Sequence, residues 1–449
     1  ASVMPGKLGL VMFWAFLACA RAEPPPFEFA ARYTMQELFQ SPLARAEFLA
    51  ETFQYEAVFH FQAGLDEATG LTKDGTGISL TTGYPDEAKA HNFSAPSKEA
   101  LHLALLAHAI HGDELACSFF KQASSPASTS DQIRHLLEAK LSSYERFDAA
   151  FPGFGGFLPW FAIDASKSPT VQPTWDWTNR VPSLDNGEWL WAVYAVSRAL
   201  QTSEASEWCD NKTLGDSSRG DRLMASRYRA VFDRAVSNAA RIFYTEANGT
   251  KGFRCVSSLT DAALSPANNS YGDAGAGCML DDPYEGELFV VLADLYSPAS
   301  YNRTAVWEGK RAKLRAVDVS EMDLVVQEGY WFSAHEQWKL WTLPYLDIPL
   351  LLGVFASTEV ARTRFSSEVA TQHTRCPRLT HAPRADITCP ATHTTCPYYS
   401  TLHMYPTSMC LQHCALPPPH GDPLSATSLD SVLLLTPSPT GPRVAVSGM

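Results

Sequence analysis

The chain has 449 residues and a net charge of −13, which weighs against a nucleic-acid backbone or an anionic membrane surface as its natural partner. Hydrophobic residues make up 45% of it, enough for a large core, and 11 tryptophans with 16 tyrosines supply flat faces of the kind that fill cores and stack on sugar rings.

At the N-terminus Lys7 precedes an apolar run from Leu8 to Ala20, and Ala18-Cys19-Ala20 or Ala20-Arg21-Ala22 offers a small-residue cleavage site. The run is shorter than the roughly 20 residues of a membrane span and reads as a secretory signal peptide over residues 1–22. Secretion agrees with five N-x-S/T acceptors, at Asn92, Asn211, Asn248, Asn268 and Asn302. In that compartment Cys117, Cys209, Cys255 and Cys278 are expected to form disulfides, with a connectivity that spacing leaves open.

Helical periodicity follows. Met35 to Phe61 carries Leu38, Phe39, Leu43, Phe48, Leu49, Phe53, Val58 and Phe61 on its apolar faces, and Ser94 or Ser97 is placed to cap a helix bearing Leu101, Leu103, Leu105 and Leu106. Further helices are predicted over Asp113 to Gln122 and Ser130 to Phe147. Between Phe151 and Pro182 the pattern gives way to glycine, proline and tryptophan, with Asp164, Asp176 and Asp185 among the aromatics, the texture of a long functional loop. Asn186-Gly187 then opens Glu188 to Leu200, apolar nearly all round and so expected to be covered on both sides, and another long helix is predicted from about Asp221 to Tyr244.

The stretch Leu280 to Leu295, LDDPYEGELFVVLADL, crowds acids at the mouth of an apolar helix. Asp282 is a capping residue and Pro283 suits the first helical position. Leu288, Val291, Leu292 and Leu295 mark one buried stripe; on a helical wheel Tyr284 and Glu285 fall beside it, and Glu287 falls opposite with Asp294. Locally, Asp282 and Glu285 also fit a capping box, in which the glutamate only bonds back to the cap amide. Ala305 to Ala316 reads as a helix, and Val326 to Leu340, VQEGYWFSAHEQWKL, as a loop-to-helix passage before a last helix ending near Arg364.

With no hairpin recognisable, residues 30–364 read as an all-α chain of paired helices in concentric layers, an (α/α) toroid with its site at one mouth. Beyond Phe365 periodicity is lost apart from Leu433 to Leu435. Cys376, Cys389, Cys396, Cys410 and Cys414 there follow C-x12-C, C-x6-C, C-x13-C and C-x3-C spacings, which build no zinc site.

Four motifs in order, SAPSKEALHLALLAHA, TWDWTNRVPSLDNGEWLWA, LDDPYEGELF and VQEGYWFSAHEQWK, resemble the eukaryotic endo-β-1,2-glucanases of glycoside hydrolase family 162 over roughly Ala30 to Arg364. The resemblance implies a secreted (α/α)6 toroid that needs no cofactor or metal and hydrolyses β-1,2-glucan internally with inversion. It implies that the general acid is a glutamate of DDPYEGELF: Glu285, beside the buried stripe, with Glu287 as the alternative. Trp175, Trp177, Tyr284, Trp331 and Trp338 are then candidates to stack on glucose rings, and Asp176, Asp185, His335, Glu336 and Lys339 to meet sugar hydroxyls. Read locally, the same residues are core aromatics, caps and surface ion pairs. The partner expected is the polysaccharide alone, bound by a monomer, with no nucleic acid or membrane.

An inverting enzyme also needs a general base, in this family an aspartate near the C-terminus, and no such context is recognisable after Arg364, where Asp386, Asp422 and Asp430 lie in low-order sequence. The toroid over residues 23–364 is therefore expected to lack its last helices, and residues 365–449 to be a disordered or mistranslated tail. If the base is present after all, Asp185 is the first residue to test for that role. A non-catalytic glucan-binding protein is the corresponding alternative. Asp281-Asp282-Pro283-Tyr284-Glu285 also fits the DDxxE pattern with which all-α terpene synthases hold magnesium, but no second metal motif or basic diphosphate cradle accompanies it.

Overall fold

Thr34 and Glu37 close a capping box at the start of α1 (Met35–Gln40), and Ser41 caps α2 (Pro42–Phe59), whose proline sits in the first turn where no amide donor is needed. The computed structural model describes residues 32–79, 84–121, 127–202, 208–210, 217–246, 251–281, 286–311, 314–319, 322–327, 342 and 348–375. A π-helical turn, His60–Gly64, extends α2. α3 (Pro96–Ile110) begins after Ala95 with no side-chain cap. The expected capping by Ser94 or Ser97 is therefore corrected: Ser94 is fully buried, and Pro96 presets the first turn by its fixed φ.

Asp113 caps α4 (Glu114–Phe120) and Ser128 caps α5 (Thr129–Ala150). α6 (Leu184–Thr202), α7 (Ser217–Phe243), α8 (Gly286–Tyr296), α9 (Arg303–Arg311) and α10 (Pro349–Arg375) complete the longer helices among the described residues. α6 packs against α3, α7 and α8, and Trp189, Leu190, Val193 and Val196 lie fully buried, as its all-round apolar sequence requires. On α7, Ala225, Tyr228, Phe232, Ala235, Ala239 and Ile242 recur at helical spacing and are fully buried, each large side chain worth about 1.5–3 kcal/mol. Phe157, Phe243, Phe253 and Phe289 meet at ring separations of 5.0 to 6.0 Å where α7 and α8 join this core.

Small antiparallel sheets bind the loops. β3 (Phe93–Ser94), β4 (Phe161–Ile163) and β5 (Val171–Pro173) form one, preceded in the chain by a pair β1 (Gly77–Ile78) and β2 (Pro85–Asp86). β6 (Arg180–Pro182) pairs with β9 (Val256–Leu259), which pairs with β10 (Tyr271–Asp273), while β7 (Tyr244–Thr245) pairs with β8 (Gly252–Phe253). β11 (Leu314–Val319) and β12 (Met322–Gln327) form a hairpin in register from Leu314 opposite Gln327 to Val319 opposite Met322.

That hairpin corrects two expectations. Helix stops at Arg311 rather than continuing to Ala316, and the reading without hairpins gives way to a helix-rich fold with minor sheets. The reason is the β-branched content of the two strands, Val317 opposite Leu324, Val319 opposite Met322 and Val325 opposite Ala316, and the seat of Val326 on Ala361 of α10. α10 itself continues to Arg375, past the expected end near Arg364.

Two disulfides, Cys117–Cys209 and Cys255–Cys278, resolve the connectivity that spacing left open. No helix among the described residues is long and apolar enough to cross a membrane.

Under α3 lies a buried polar hub. Glu99 accepts from Lys140 Nζ at 2.7 Å, from the Tyr144 hydroxyl at 2.5 Å and from Thr72 N and Oγ1 at 2.5 and 2.7 Å, so that its charge is paired and bonded although the side chain is wholly buried. His60 and His102 meet edge to face nearby, 4.3 Å between rings; burial, reinforced by the Lys140 charge, pushes His60 down to about 3 and His102 well below the ordinary imidazole range.

Candidate functional site

Every polar residue of the PSLDNG segment fastens the start of α6. Ser183 donates its amide to the Cys255 carbonyl at 2.9 Å and its hydroxyl to the Arg254 carbonyl at 2.6 Å, next to the Cys255–Cys278 bridge. Asn186, fully buried, donates to the carbonyls of Leu158 and Pro182, both at 2.7 Å, and accepts the Leu158 amide at 3.0 Å, clamping the FPGFGGFLPW loop to the helix. Gly187 is glycine because α8 passes directly over it: a Cβ there would stand 2.6 Å from the Phe289 backbone nitrogen. Trp191 Nε1 donates to the Leu288 carbonyl at 3.0 Å and ties the same two helix starts together.

Carboxylates gather at this junction. Asp185 lies in the first turn of α6, Glu188 just beyond it, and Glu287 in the first turn of α8, all three buried, and the positive ends of both helix dipoles favour negative charge in those first turns. Glu287 is only 8% exposed. Its expected place opposite the buried side of α8 is thus overturned; of the expected stripe Leu288 and Leu292 are buried, whereas Leu295 is 63% exposed, and burial extends to Gly286, Phe289, Val290 and Ala293. α8 is covered by both α6 and α7, so its apolar face spans more than one stripe and takes in Glu287.

Beside the junction runs a row of near-parallel rings. Trp160 stacks on Trp177 at 5.8 Å and 12° and on Phe93 at 6.5 Å and 11°, and Phe93 stacks on His91 at 4.9 Å and 10°. His91 Nδ1 meets Asp74 Oδ2 at 3.2 Å, and Trp160 Nε1 donates to Asp185 Oδ2 at 3.0 Å. Trp177 ends the row on a turn in which Thr174 N donates to the Trp160 carbonyl at 3.0 Å and Trp177 N to the Thr174 carbonyl at 2.9 Å. Trp175 on this turn is 79% exposed, a face offered to solvent. Asp176 is also exposed and accepts from Thr174 Oγ1 at 2.8 Å, so its first partner is its own turn.

Of the residues singled out in the sequence, Trp175, Asp176, Trp177 and Asp185 lie on or beside this row and Glu287 at the helix junction. Tyr284, Glu285, Trp331, His335, Glu336, Trp338 and Lys339 lie outside the described residues. Residues 282–285 immediately precede α8 in the chain. Trp160, Asn186 and Glu188 were not singled out. Trp160 carried a signal only as one more aromatic of the Gly/Pro-rich loop, and its bond to a carboxylate 25 residues on is invisible to any local pattern. Buried acids beside ordered aromatic faces are the equipment for holding a sugar ring and transferring a proton to a glycosidic oxygen. Among the described residues no three His, Cys, Asp or Glu side chains group to hold a metal ion.

The family model for Endo-beta-1,2-glucanase SGL, of GH162, matches residues 71–406, a stretch that runs past Arg364. Among solved structures the chain is similar to the endo-beta-1,2-glucanase from Talaromyces funiculosus in complex with sophorose, at 36% identity and a TM-score of 0.63, over 78% of this chain and 66% of that one. It is similar also to a mutant of the Talaromyces funiculosus enzyme in complex with beta-1,2-glucan, at 35% identity, a TM-score of 0.63 and the same 78% and 66% coverage. The chain thus spans just under two thirds of the length of these relatives. No curated protein sequence matches it.

Proposed function

The chain belongs to the endo-beta-1,2-glucanase family GH162, and from that membership we propose that it is a secreted, monomeric, endo-acting hydrolase that cleaves β-1,2-glucan to short oligosaccharides with inversion, on an (α/α)6 toroid. The observation that carries the reading is the meeting of two family-like motifs in space: the start of α6, from SLDNGEWLW, packs on the start of α8, from GELF, at Gly187 and Phe289 and through Trp191 to Leu288, with buried Asp185 bonded to Trp160 of the aromatic row and Glu188 and Glu287 buried on the same two helices. The two disulfides support an oxidising, extracellular route.

In this proposal Glu285, protonated, donates its proton to the leaving glycosidic oxygen as the C1–O bond breaks. A second carboxylate, roughly 6.5–9.5 Å away, deprotonates the water that attacks C1 from the opposite face. Glu287, of the same motif, is the alternative acid, and its burial strengthens that candidacy by removing the helical-wheel ground for placing it behind Glu285.

Purified protein is incubated with linear β-1,2-glucan in EDTA, reducing ends are counted, and the product anomer is read by NMR. The proposal expects short oligosaccharides released first as the α-anomer. Glu285→Gln is expected to lower the rate by at least about a hundredfold with oligosaccharide binding kept. A larger loss from Glu287→Gln, with Glu285→Gln active, transfers the acid role. Binding without release of reducing ends makes the protein a glucan-binding module, and turnover of a prenyl diphosphate only with added magnesium makes it a terpene synthase.

A further inference from the structure

We propose that Asp185 and Trp160 form a positioning pair for glucan binding: the buried carboxylate fixes the indole, and the indole fixes the plane in which Trp177 presents its ring to a glucose unit. The proposal rests on the carbohydrate reading of the site and takes Asp185 away from the anomeric carbon. Asp185 is 7% exposed and held in the first turn of α6, between Ser183, bonded to Cys255, and Asn186, bonded to Leu158. Its Oδ2 accepts the only side-chain N–H of Trp160, at 3.0 Å. An indole so bonded cannot turn about χ2 without losing that bond, which sets its plane.

Trp160 lies between Phe93 and Trp177, within 12° of parallel to both, so any rotation of it moves both neighbours. The backbone couples the same residues, from Trp177 N to the Thr174 carbonyl and from Thr174 N to the Trp160 carbonyl. The far end of the row is pinned as well, His91 by Asp74, which also lies 3.8 Å from Lys98. Asp185 therefore does its work through Trp160. What Trp177 and exposed Trp175 offer suits the flat C–H faces of a β-linked glucose chain.

The test uses the full chain labelled with 15N-tryptophan, in which the Trp160 indole N–H resonance is assigned by its disappearance in Trp160→Phe. Asp185→Leu removes the acceptor, whereas Asp185→Asn keeps a side-chain oxygen to receive the indole. The wild-type resonance is expected downfield and slow to exchange, Asp185→Leu to move it upfield and speed exchange at least about tenfold, and Asp185→Asn to keep it nearly in place. With β-1,2-glucan, Asp185→Leu and Trp160→Phe are expected to raise KM about tenfold, the scale of a lost stacking contact, with kcat within about twofold, and Asp185→Asn to hold both near wild type. If Asp185→Leu does not fold, Trp160→Phe against Asp185→Asn decides the same point.

A fall in kcat of about a hundredfold in Asp185→Asn, with the indole resonance unmoved, would show Asp185 acting at the reacting bond and overturn the proposal. So would an unchanged resonance and KM in Asp185→Leu. If wild type neither binds nor cleaves glucan, the hydrolase reading fails; the proposal fails with it if the resonance also ignores Asp185→Leu, and survives as a positioning pair for another ligand if the resonance shifts.

Discussion

Gly187 shows how a single residue sets the site. With the Phe289 backbone nitrogen 2.6 Å from where a Cβ would stand, even alanine must push α8 away from α6, and backbone cannot yield as a flexible side chain would. Gly187→Ala is expected to cost about 1–3 kcal/mol in thermal or urea unfolding, and to lower glucan hydrolysis per folded molecule because the two helix starts shift together. Unchanged stability and rate would mean that the helices separate freely there. Glycine at 187 was legible as a helix opener, while its close approach to α8 was not, because residue 289 is over a hundred positions away. The bond of Asp185 to Trp160, 25 residues apart, and the burial of Glu287 were hidden likewise, because each is a contact outside any local window.

At the scale of elements, α3 and α5 are joined through Glu99 and Lys140, both wholly buried, and through Glu99 to the loop at Thr72. Lys140→Met leaves the Glu99 charge buried without its cation and is expected to destabilise the fold by about 3–5 kcal/mol, and the double variant Glu99→Leu/Lys140→Met to recover most of it. Equal losses in single and double variants would show that the pair acts by packing alone. The neighbouring His60 and His102 give α2 and α3 a pH dependence. Both are held neutral in the folded protein, by burial first and by Lys140 second, so below the unfolded imidazole range near 6.5 the unfolded chain takes up protons that the folded one does not. Stability is therefore full above about pH 6.5 and falls as pH drops toward the His60 value of about 3, with a slope approaching about 1.4 kcal/mol per pH unit for each histidine. Urea midpoints measured from pH 7 to 4 check it: the slope is expected to shrink in His102→Leu, and an identical slope there would remove the histidines as its source. The helices themselves were legible, since 3.6-residue periodicity and a capping residue are local properties. The β11–β12 hairpin was missed because Val326 finds its burial only on α10, which no local window contains.

Across the whole molecule the disulfides divide stability from function. Cys117–Cys209 closes a span of 92 residues and ties α4 to the segment at Trp208, where Arg134 lies 4.2 Å over the indole and Asp210 accepts the Ser130 amide. Loop-closure entropy assigns such a span about 4–5 kcal/mol, against about 3 kcal/mol for the 23-residue span of Cys255–Cys278. The shorter bridge, however, flanks the carbonyl that holds Ser183 at the start of α6. Replacing Cys117 and Cys209 by alanine is expected to lower the unfolding midpoint more, and replacing Cys255 and Cys278 to lower glucan hydrolysis per folded molecule more; a single ranking in both assays would break the division.

By itself the sequence determined the helix-rich class, the family and the stretches where the site forms, because periodicity, caps and long motifs lie in residues adjacent along the chain. Only the tertiary structure decided which carboxylates are buried, that Asp185 grips Trp160, how the cysteines pair and where the chain turns to strand. Each of those depends on a contact between residues far apart in sequence, whose free energy appears only when the intervening chain has folded.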